Sequence, residues 1–487
     1  MQAEIAVLRF GLGARPGELA AAAADPRAWL TAQIKGAVPL SALSAPLTPS
    51  DQIFAALMAA RDERQEMQRA GAVQAGAVQA GAVQTAADPK VAFNAIREAY
   101  LPHYREQVLA RAQSAALTAT PFAERLVHFW SNHFAVSADK GVVLGLAGTL
   151  ENEAIRPNVN GRFIDLLTAV EQHPAMIAFL DNQYSVGKDS DAAALAARRA
   201  LRRAAFGADA NASARQFGIN ENLAREILEL HTLGVNGGYT QSDVTSFAQI
   251  ITGWSIGGGK GRLAGGEPGK FYFRDNLHQP GPKMFLGKTY REEGRRQGEA
   301  VLADLSRHPA TARFLATKLA RHFIADDPPP AAVERIARVF FKTGGDLPRV
   351  YAALIESPEA WNPDARKFKT PEDFVFSSLR CLNIVPQKPE EVLRSFELLG
   401  QRPFTPGSPA GWPDTARSWD GSDALMHRVL WATRAAARYE QGLPPSEVAS
   451  SSLGAYARPE TLTALNRAAS SSQGLALLLM SPEFQRR

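Results

Sequence analysis

Apolar residues recur at three- and four-residue spacing through most of this 487-residue chain, and that periodicity constrains its fold more than any other feature. Such spacing places apolar side chains along one face of an α-helix. Strand signals are scarce, and the convincing one is KFYFRDNLHQPGPKMFLGKTY at 270–290, where two aromatic or apolar runs flank a Gly-Pro turn. The sequence therefore predicts a mainly α protein, a large multi-helix, bundle-like assembly with one small β-hairpin near 270–290.

Chain length and a low-complexity segment indicate how the helices are organised. A chain of 487 residues is longer than one hydrophobic core usually organises. We expect a single helical unit over 1–487, which could divide into halves at 1–260 and 291–487 with the hairpin between them. Residues 70–84 repeat the unit AGAVQ three times. A period of five fits neither a helix nor a strand, so we expect a mobile loop there.

Charge and composition exclude several classes of protein. The 54 basic and 49 acidic side chains are dispersed, and the densest basic cluster, at 198–203, lacks interleaved aromatics, so we expect no nucleic-acid partner. One cysteine, Cys381, allows neither an intramolecular disulfide nor a thiolate metal cluster. No window approaches 18 apolar residues, which predicts no membrane span. The first residues lack the basic and apolar regions of a secretory signal, so we expect a cytoplasmic location.

The segment NENLAREILELHTLG at 220–234 is the first candidate site. At 100° per residue, Asn222, Arg225, Glu226 and Glu229 share one stripe of a helix, whereas His231 lies about 180° from Asn222. Neither the His-Glu-x-x-His zinc motif nor the Glu-x-x-His di-iron motif is present. The stripe is therefore either an acid/base site or a solvated face with an Arg225–Glu229 ion pair.

A second candidate is FAERLVHFWSNHF at 122–134. Glu124, His128 and Asn132 recur every four residues, and Phe129 with His133 forms the neighbouring ridge, so this helix could bind a metal or transfer a proton. Its aromatic residues favour a buried helix instead, in which each histidine is a hydrogen-bonded core residue.

Other polar residues carry weaker signals. His173 and His308 precede prolines and are placed to cap helices. Thr240 and Asp243 match a capping box with Asp in place of Glu. His278 and Lys283 bracket the predicted hairpin turn and could face a cleft. The sequence has no Gly-x-Ser-x-Gly elbow, Walker A loop, Rossmann fingerprint or EF-hand, which makes nucleotide-dependent chemistry a poor fit.

Seven segments carry a further signal: RFGLGARP (9–16), ERLVHFWSNHF (124–134), GRFIDLLTAVEQHPAMIAFLDNQ (161–183), NENLAREILELHTLGVNGGYTQSDVTSFAQIITGW (220–254), HQPGPKMFLGKT (278–289), HPATARFLATKLARHF (308–323) and GSPAGWPD (407–414). In this order they resemble the bacterial DUF1800 family, a family of unknown function. The resemblance covers nearly the whole chain, and the 220–254 run is its most specific part.

The resemblance implies that polar positions matter, since family members look alike at those matching Asn132, His133, His173, Asp181, Asn182, Asn222, Arg225, Glu226, Glu229, His231 and Lys283. Two positions depart from the family pattern. Ser131 replaces the first His of a Phe-Trp-His-Asn-His-Phe motif, and Gln279 stands where Asp is usual. Many relatives carry an export signal that this chain lacks.

Two functions follow as hypotheses. The first is a hydrolase-like enzyme in which Glu226 or Glu229 is the acid/base, assisted by His133, His173 or His231, with a divalent metal on Asp181 and Glu226 as one form of the site. Its binding residues would be Asn132, His173, Asn182, Asn222, Arg225, His278, Lys283 and Trp412. The second is a non-catalytic binding or assembly protein, in which polar groups hold the scaffold and the 400–421 loop, with Trp412 and Trp419, contacts a partner.

Overall fold

The computed structural model describes residues 1–41, 46–59, 89–205, 218–259, 263–438 and 442–487. The AGAVQ repeat at 70–84, predicted to be a mobile loop, lies outside the described residues. Within them the protein is mainly helical, as the periodicity predicts. None of the described helices is long and apolar enough to cross a bilayer.

The helices up to residue 260 are α1 Gln2–Glu4, α2 Glu18–Ala23, α3 Pro26–Thr31, α4 Pro89–Leu117, α5 Pro121–His133, α6 Ala147–Thr149, α7 Arg156–Asn158, α8 Phe163–Glu171, α9 Pro174–Phe179, α10 Asp191–Ala205, α11 Asn222–Glu226 and α12 Gln241–Ile250. Residues 50–59 are also helical. Three π-helical segments continue α1, α6 and α11: Ile5–Phe10, Leu150–Ile155 and Ile227–His231.

The later helices are α13 Arg295–Ser306, α14 Pro309–Phe323, α15 Pro330–Thr343, α16 Leu347–Ile355, α17 Pro371–Cys381, α18 Pro389–Leu398, α19 Ser422–Ala436, α20 Pro445–Leu453, α21 Pro459–Asn466 and α22 Ser471–Met480. Many begin with proline, whose missing N–H and fixed φ suit the first helical position.

Side-chain caps at the helix starts confirm local predictions. The Nδ1 atoms of His173 and His308 accept hydrogen bonds from backbone N–H groups two residues later, at 3.1 and 3.2 Å. Thr240 and Asp243 form the predicted capping box of α12. These residues cap helix ends because their side chains accept from N–H groups that have no partner within the helix.

The described residues contain a small hairpin within 270–290, as predicted, and also a second small antiparallel sheet that was not predicted. Strand β1 (Trp254–Ile256) pairs with β2 (Phe271–Phe273), and β3 (Lys283–Phe285) pairs with β4 (Lys288–Tyr290). The hairpin turn lies at Leu286 and Gly287, which both have positive φ as a two-residue type I′ turn requires. The predicted Gly-Pro turn does not pair its flanking runs, since Pro280 and Pro282 cannot donate to a ladder.

One hydrophobic core includes residues from Ile5 to Phe484. At its centre Phe10 lies 5.6 Å from Phe122, 5.8 Å from Phe323 and 5.5 Å from Trp361, measured between ring centroids. This aromatic cluster fixes the N-terminal segment against α5 and α14. The proposed division at 260–290 stays a prediction, although these contacts join residues from both sides of it.

Candidate functional site

The candidate site is a small polar cleft where α5, α14 and the first turn of α17 meet the loop 400–414. We call it the central cleft. It holds a cavity of about 60 Å3, room for a few water molecules or one small polar group. Its charged and polar lining includes Arg111, Arg125, His128, Asn132, His322, Glu372, Asp373 and Asp414.

His322 and Asp414 form the shortest histidine–carboxylate contact of the cleft. Nδ1 of His322 lies 2.9 Å from Oδ2 of Asp414. Nε2 of His322 is buried and has no hydrogen-bond partner among the described residues. Burial lowers the pKa of His322 to about 4, which the nearby Asp414 only partly opposes. At neutral pH the imidazole is therefore uncharged, its Nδ1–H donates to Asp414, and the Nε2 lone pair can accept a proton.

Asp414 is held as an anion by neighbouring cations. Nζ of Lys367 lies 3.4 Å and Nη2 of Arg487 lies 3.6 Å from its Oδ1. Burial by itself would raise the pKa of Asp414, but His322 and Lys367 outweigh that effect and hold the pKa well below its usual range. A fixed negative charge next to Nδ1 of His322 selects the tautomer that leaves Nε2 unprotonated.

Asp373, at the first turn of α17, is a second fixed anion of the cleft. Nη1 of Arg125 lies 2.7 Å from its Oδ1, and Nε of Arg487 lies 2.9 Å from its Oδ2. Nε of Arg125 also donates to the carbonyl of Gly11 at 2.5 Å. Because both arginines are buried with it, the charge of Asp373 is neutralised within the protein.

His128 lies between two carboxylates on another wall of the cleft. Its Nδ1 is 3.4 Å from Oε1 of Glu372, and its Nε2 is 3.5 Å from Oε1 of Glu124. Glu124 in turn makes a bidentate pair with Arg156, at 2.7 and 2.6 Å. The predicted Glu124–His128–Asn132 stripe therefore faces polar groups, and Glu124 is paired with the buried Arg156.

Asn132 fixes the loop that carries Asp414. Its Oδ1 accepts from the backbone N–H of Trp412 at 2.7 Å, and its Nδ2 donates to the Trp412 carbonyl at 3.0 Å. Gly411, with φ of 84°, packs so closely that an added Cβ would lie 2.3 Å from the Asn132 carbonyl oxygen. Nε1 of Trp419 donates to the Pro413 carbonyl at 2.9 Å. The loop thus holds Asp414 against His322 through contacts to α5.

Phe404, on the same loop, has the left-handed backbone conformation that bulky residues avoid, with φ of 56°. Its carbonyl accepts from Ala138 at 2.7 Å, and the guanidinium of Arg111 lies 5.0 Å from its ring centroid. Such strain persists where surrounding contacts over-determine it, and strained residues cluster at functional sites.

The structure places His133 and His231 in contact, and their predicted catalytic role stays a prediction. Nε2 of His133 donates to the His231 carbonyl at 3.2 Å, and Nδ1 of His231 lies 2.7 Å from Oε1 of Glu171. All three residues are buried, and burial lowers the pKa of His133 well below its usual range. His231 ends the π-helical segment, so the regular 100° rotation used for its predicted position does not apply.

The stripe on α11 keeps the arrangement of a partly solvated face. Arg225 bonds Glu221 at 3.1 Å and Glu229 at 3.3 Å, and Asn222 is exposed. Glu226 is half-buried and has no ion pair among the described residues, and burial raises its pKa. The lining of the central cleft includes none of these residues.

Two other predicted residues have structural partners. Asp181, in a left-handed conformation, pairs with Lys140 at 2.7 Å. The buried Asn182 donates to the carbonyls of Ile251 and Trp254 at 3.2 and 2.9 Å. Within the described ranges, no group of three or more His, Cys, Asp or Glu side chains is placed to hold a metal ion.

The remaining predicted residues lie in two further clusters. Nε2 of His173 is 3.2 Å from Glu153. Nε2 of His278 is 3.1 Å from Glu292, which also pairs with Lys283 at 3.3 Å. His278 and Lys283 thus lie around one carboxylate, and their predicted place at a cleft stays a prediction. Of the residues that the sequence offered as candidates, His128, Asn132 and Trp412 line the central cleft.

Sequence reasoning missed His322, Glu372, Asp373 and Asp414. One signal points to two of them, because His322 and Asp414 lie in the segments 308–323 and 407–414 that carry the family resemblance.

The fold and the central cleft together define a class: a mainly helical protein with a neutral histidine and a fixed aspartate facing a small internal cavity. The chain matches the family model described as Protein of unknown function (DUF1800) over residues 5–486. It therefore belongs to the DUF1800 family, as its motifs predict. Comparisons with curated proteins and with solved structures gave no significant match.

Proposed function

We propose that this protein is a hydrolase in which Nε2 of His322 takes a proton from a water molecule bound in the central cleft. The observation that carries the proposal is the 2.9 Å contact between His322 Nδ1 and Asp414, with the opposite ring nitrogen buried and unpartnered beside a cavity. A buried polar atom without a partner calls for a ligand or a water molecule.

In this proposal, Asp414 orients the imidazole and stabilises the imidazolium that forms when His322 accepts the proton. The same division of roles operates in other His–Asp pairs, where the carboxylate keeps its charge throughout. His322 begins uncharged at neutral pH because burial lowers its pKa. As this proton passes to Nε2, the water oxygen would form a bond to an electrophilic centre of the substrate and the bond to the leaving group would break; the proton on His322 would pass to solvent after the products depart.

His128 is the proposed acid for the leaving group. It faces the same cleft, and Glu372 and Glu124 lie 3.4 and 3.5 Å from its two ring nitrogens. In this proposal a ring N–H of His128 gives its proton to the leaving group, and solvent later restores that proton. Arg111, which lies 3.2 Å from Glu372, supplies positive charge where the substrate would develop negative charge.

The predicted roles of Glu226 and Glu229 stay predictions beside this proposal. The pair His231–Glu171 has the same chemistry as His322–Asp414, but neither residue lines the central cleft. The cavity beside His322 could hold the water molecule, and this favours His322 over His231 as the base.

The non-catalytic alternative rests on the dense pairing of charges around the cleft. Glu124, Asp373 and Asp414 all contact buried cations. Such a network can serve to hold a scaffold in one conformation. It leaves Nε2 of His322 without a role, and this is why we favour the enzyme.

The test is a hydrolysis screen of the full-length protein with nitrophenyl esters, phosphates and glycosides. His322→Gln keeps an amide N–H for Asp414 but cannot take a proton, and Asp414→Asn removes the orienting charge. We expect each variant to lose at least about 100-fold in kcat, the scale of general acid–base catalysis. His427→Gln, at an exposed histidine, is the matched control.

Circular dichroism and urea denaturation would show whether each variant is folded. Hydrolysis that survives in folded His322→Gln, or no hydrolysis of any substrate above the rate of that variant, would contradict the proposal. Loss of hydrolysis in Glu226→Gln with full activity in His322→Gln would show that the catalytic residues are those of α11.

A further inference from the structure

A second concave surface lies between α17, α18 and α19. This surface, the apolar groove, has a volume of about 210 Å3. Its floor and walls include Val375, Leu379, Ile384, Val392, Leu398 and Trp431. Ligand sites in proteins are typically concave and mainly apolar, with a few polar groups that fix the orientation of the ligand.

The polar groups of the apolar groove are mostly cationic. Arg394, Arg434 and Arg438 line it, together with the single carboxylate of Glu391. Arg438 lies 3.5 Å from Glu391. Arg394 and Arg434 have no hydrogen-bond or ion-pair partner within the described part of the chain. Two exposed guanidinium groups thus border an apolar concavity without a compensating anion.

We propose that the apolar groove binds an amphiphilic anion, an acyl chain that ends in a carboxylate. The chain would lie against Leu379, Ile384 and Trp431, and the carboxylate would lie on Arg394 and Arg434. Charge complementarity selects an anion, since the rim has three arginines and one glutamate. Guanidinium groups recognise carboxylates through paired, charge-assisted hydrogen bonds.

A free amphiphile fits these observations better than a membrane or a protein helix. Three apolar residues of α19 are exposed and share one face of that helix: Met426, Val429 and Leu430. At 100° per residue that face is about a quarter turn or more from Trp431 and Ala435, which line the groove. The concavity is therefore separate from this exposed apolar face of α19, which is where a larger partner would dock.

The experiment is calorimetric titration of the full-length protein with sodium decanoate below its micelle concentration, with decanol as the uncharged analogue. We expect saturable decanoate binding and at least tenfold weaker binding of decanol. Reversing the two free cations in Arg394→Glu/Arg434→Glu should weaken decanoate at least tenfold. The matched control is Arg467→Glu, which reverses an exposed arginine outside the groove.

Leu379→Trp is a second variant, designed to fill the groove, and it should abolish decanoate binding if it folds. If Leu379→Trp does not fold, Arg394→Glu/Arg434→Glu, which changes exposed residues, still tests the proposal. Absence of saturation, equal binding of decanol, or equal affinity in the double variant would overturn the proposal. Binding of phosphatidylglycerol vesicles that requires the same arginines, without saturable decanoate binding, would also overturn it in favour of a membrane surface.

Discussion

The ionisation of His322 gives a prediction that needs no substrate. The pKa of this side chain is lowered from 6.5 to about 4, chiefly by burial, and its side chain is 15% exposed. At pH values between about 4 and 6.5 the His322 imidazole is protonated in the unfolded chain and neutral in the native protein. Lowering the pH through this range therefore reduces the free energy of unfolding, whereas above about pH 6.5 the ionisation of His322 has no effect on it.

The magnitude follows from the two pKa values. At about 1.4 kcal/mol for each pH unit between them, the full effect is about 3 kcal/mol, and about 2.5 kcal/mol of it is reached by pH 4.5. Other groups also titrate over this range, so wild type must be compared with His322→Gln, which cannot bind the proton in either state. The free energy of unfolding of wild type should fall relative to that of the variant by this amount from pH 7.5 to pH 4.5.

Urea denaturation at the two pH values measures this difference, provided that wild type and variant show the same dependence on urea at each pH. His427→Gln, which removes an exposed imidazole, should change the free energy of unfolding by no more than about 0.5 kcal/mol at either pH. A difference between wild type and His322→Gln that does not change with pH would refute the burial of a neutral imidazole. If wild type instead gains stability relative to His322→Gln at low pH, the protein holds His322 as an imidazolium on Asp414.

Three further substitutions test the packing and electrostatics around the two candidate sites. Glu124→Gln leaves its buried partner Arg156 with the Asn152 side chain at 3.0 Å and one carboxylate, that of Glu151, at 3.3 Å, so urea denaturation should show a loss of about 3 kcal/mol. Asp139→Asn, in an exposed ion pair of 2.7 Å, should cost less than about 1 kcal/mol, and equal losses would contradict the desolvation argument. Because burial raises the pKa of Glu226, Glu226→Gln should increase the urea midpoint at pH 7 and leave any hydrolysis unchanged; a lower midpoint would show an undetected stabilising partner. Gly411→Ala should reduce hydrolysis by displacing the loop from α5, whereas Gly407→Ala, where no atom lies within 4 Å of an added Cβ, should keep full activity; equal activity in both would show that the loop does not position Asp414.

The sequence alone predicted the features that depend on neighbours within a few residues. The mainly α fold follows from apolar spacing, and the caps at His173, His308 and Thr240 follow from their positions before helices. An N-cap bond spans two or three residues, so its partners are visible in the sequence. The family was also recognisable, because seven segments in fixed order between residues 9 and 414 carry its pattern, and the family model matches residues 5–486.

Strand pairing and the π-helical turn show where local reasoning stops. The two runs at 270–290 have the composition of strands, but composition does not specify which strand pairs with which, and Phe271–Phe273 pairs with the earlier Trp254–Ile256. The apolar faces at 220–231 specify a helix and not its exact winding. A π-helical turn depends on packing around it, and it changes the direction of His231.

The central cleft was decided by tertiary structure. His128, His322, Glu372 and Asp414 are separated by as many as 286 positions along the chain and meet because α5, α14, α17 and the 400–414 loop pack together. Residue type can suggest that each is polar, charged or able to cap a helix. Whether a histidine is neutral or charged depends on its burial and on the charges that distant elements bring to it. Those are properties of the packed chain, and they make His322 a candidate base although its own segment reads as an ordinary amphipathic helix.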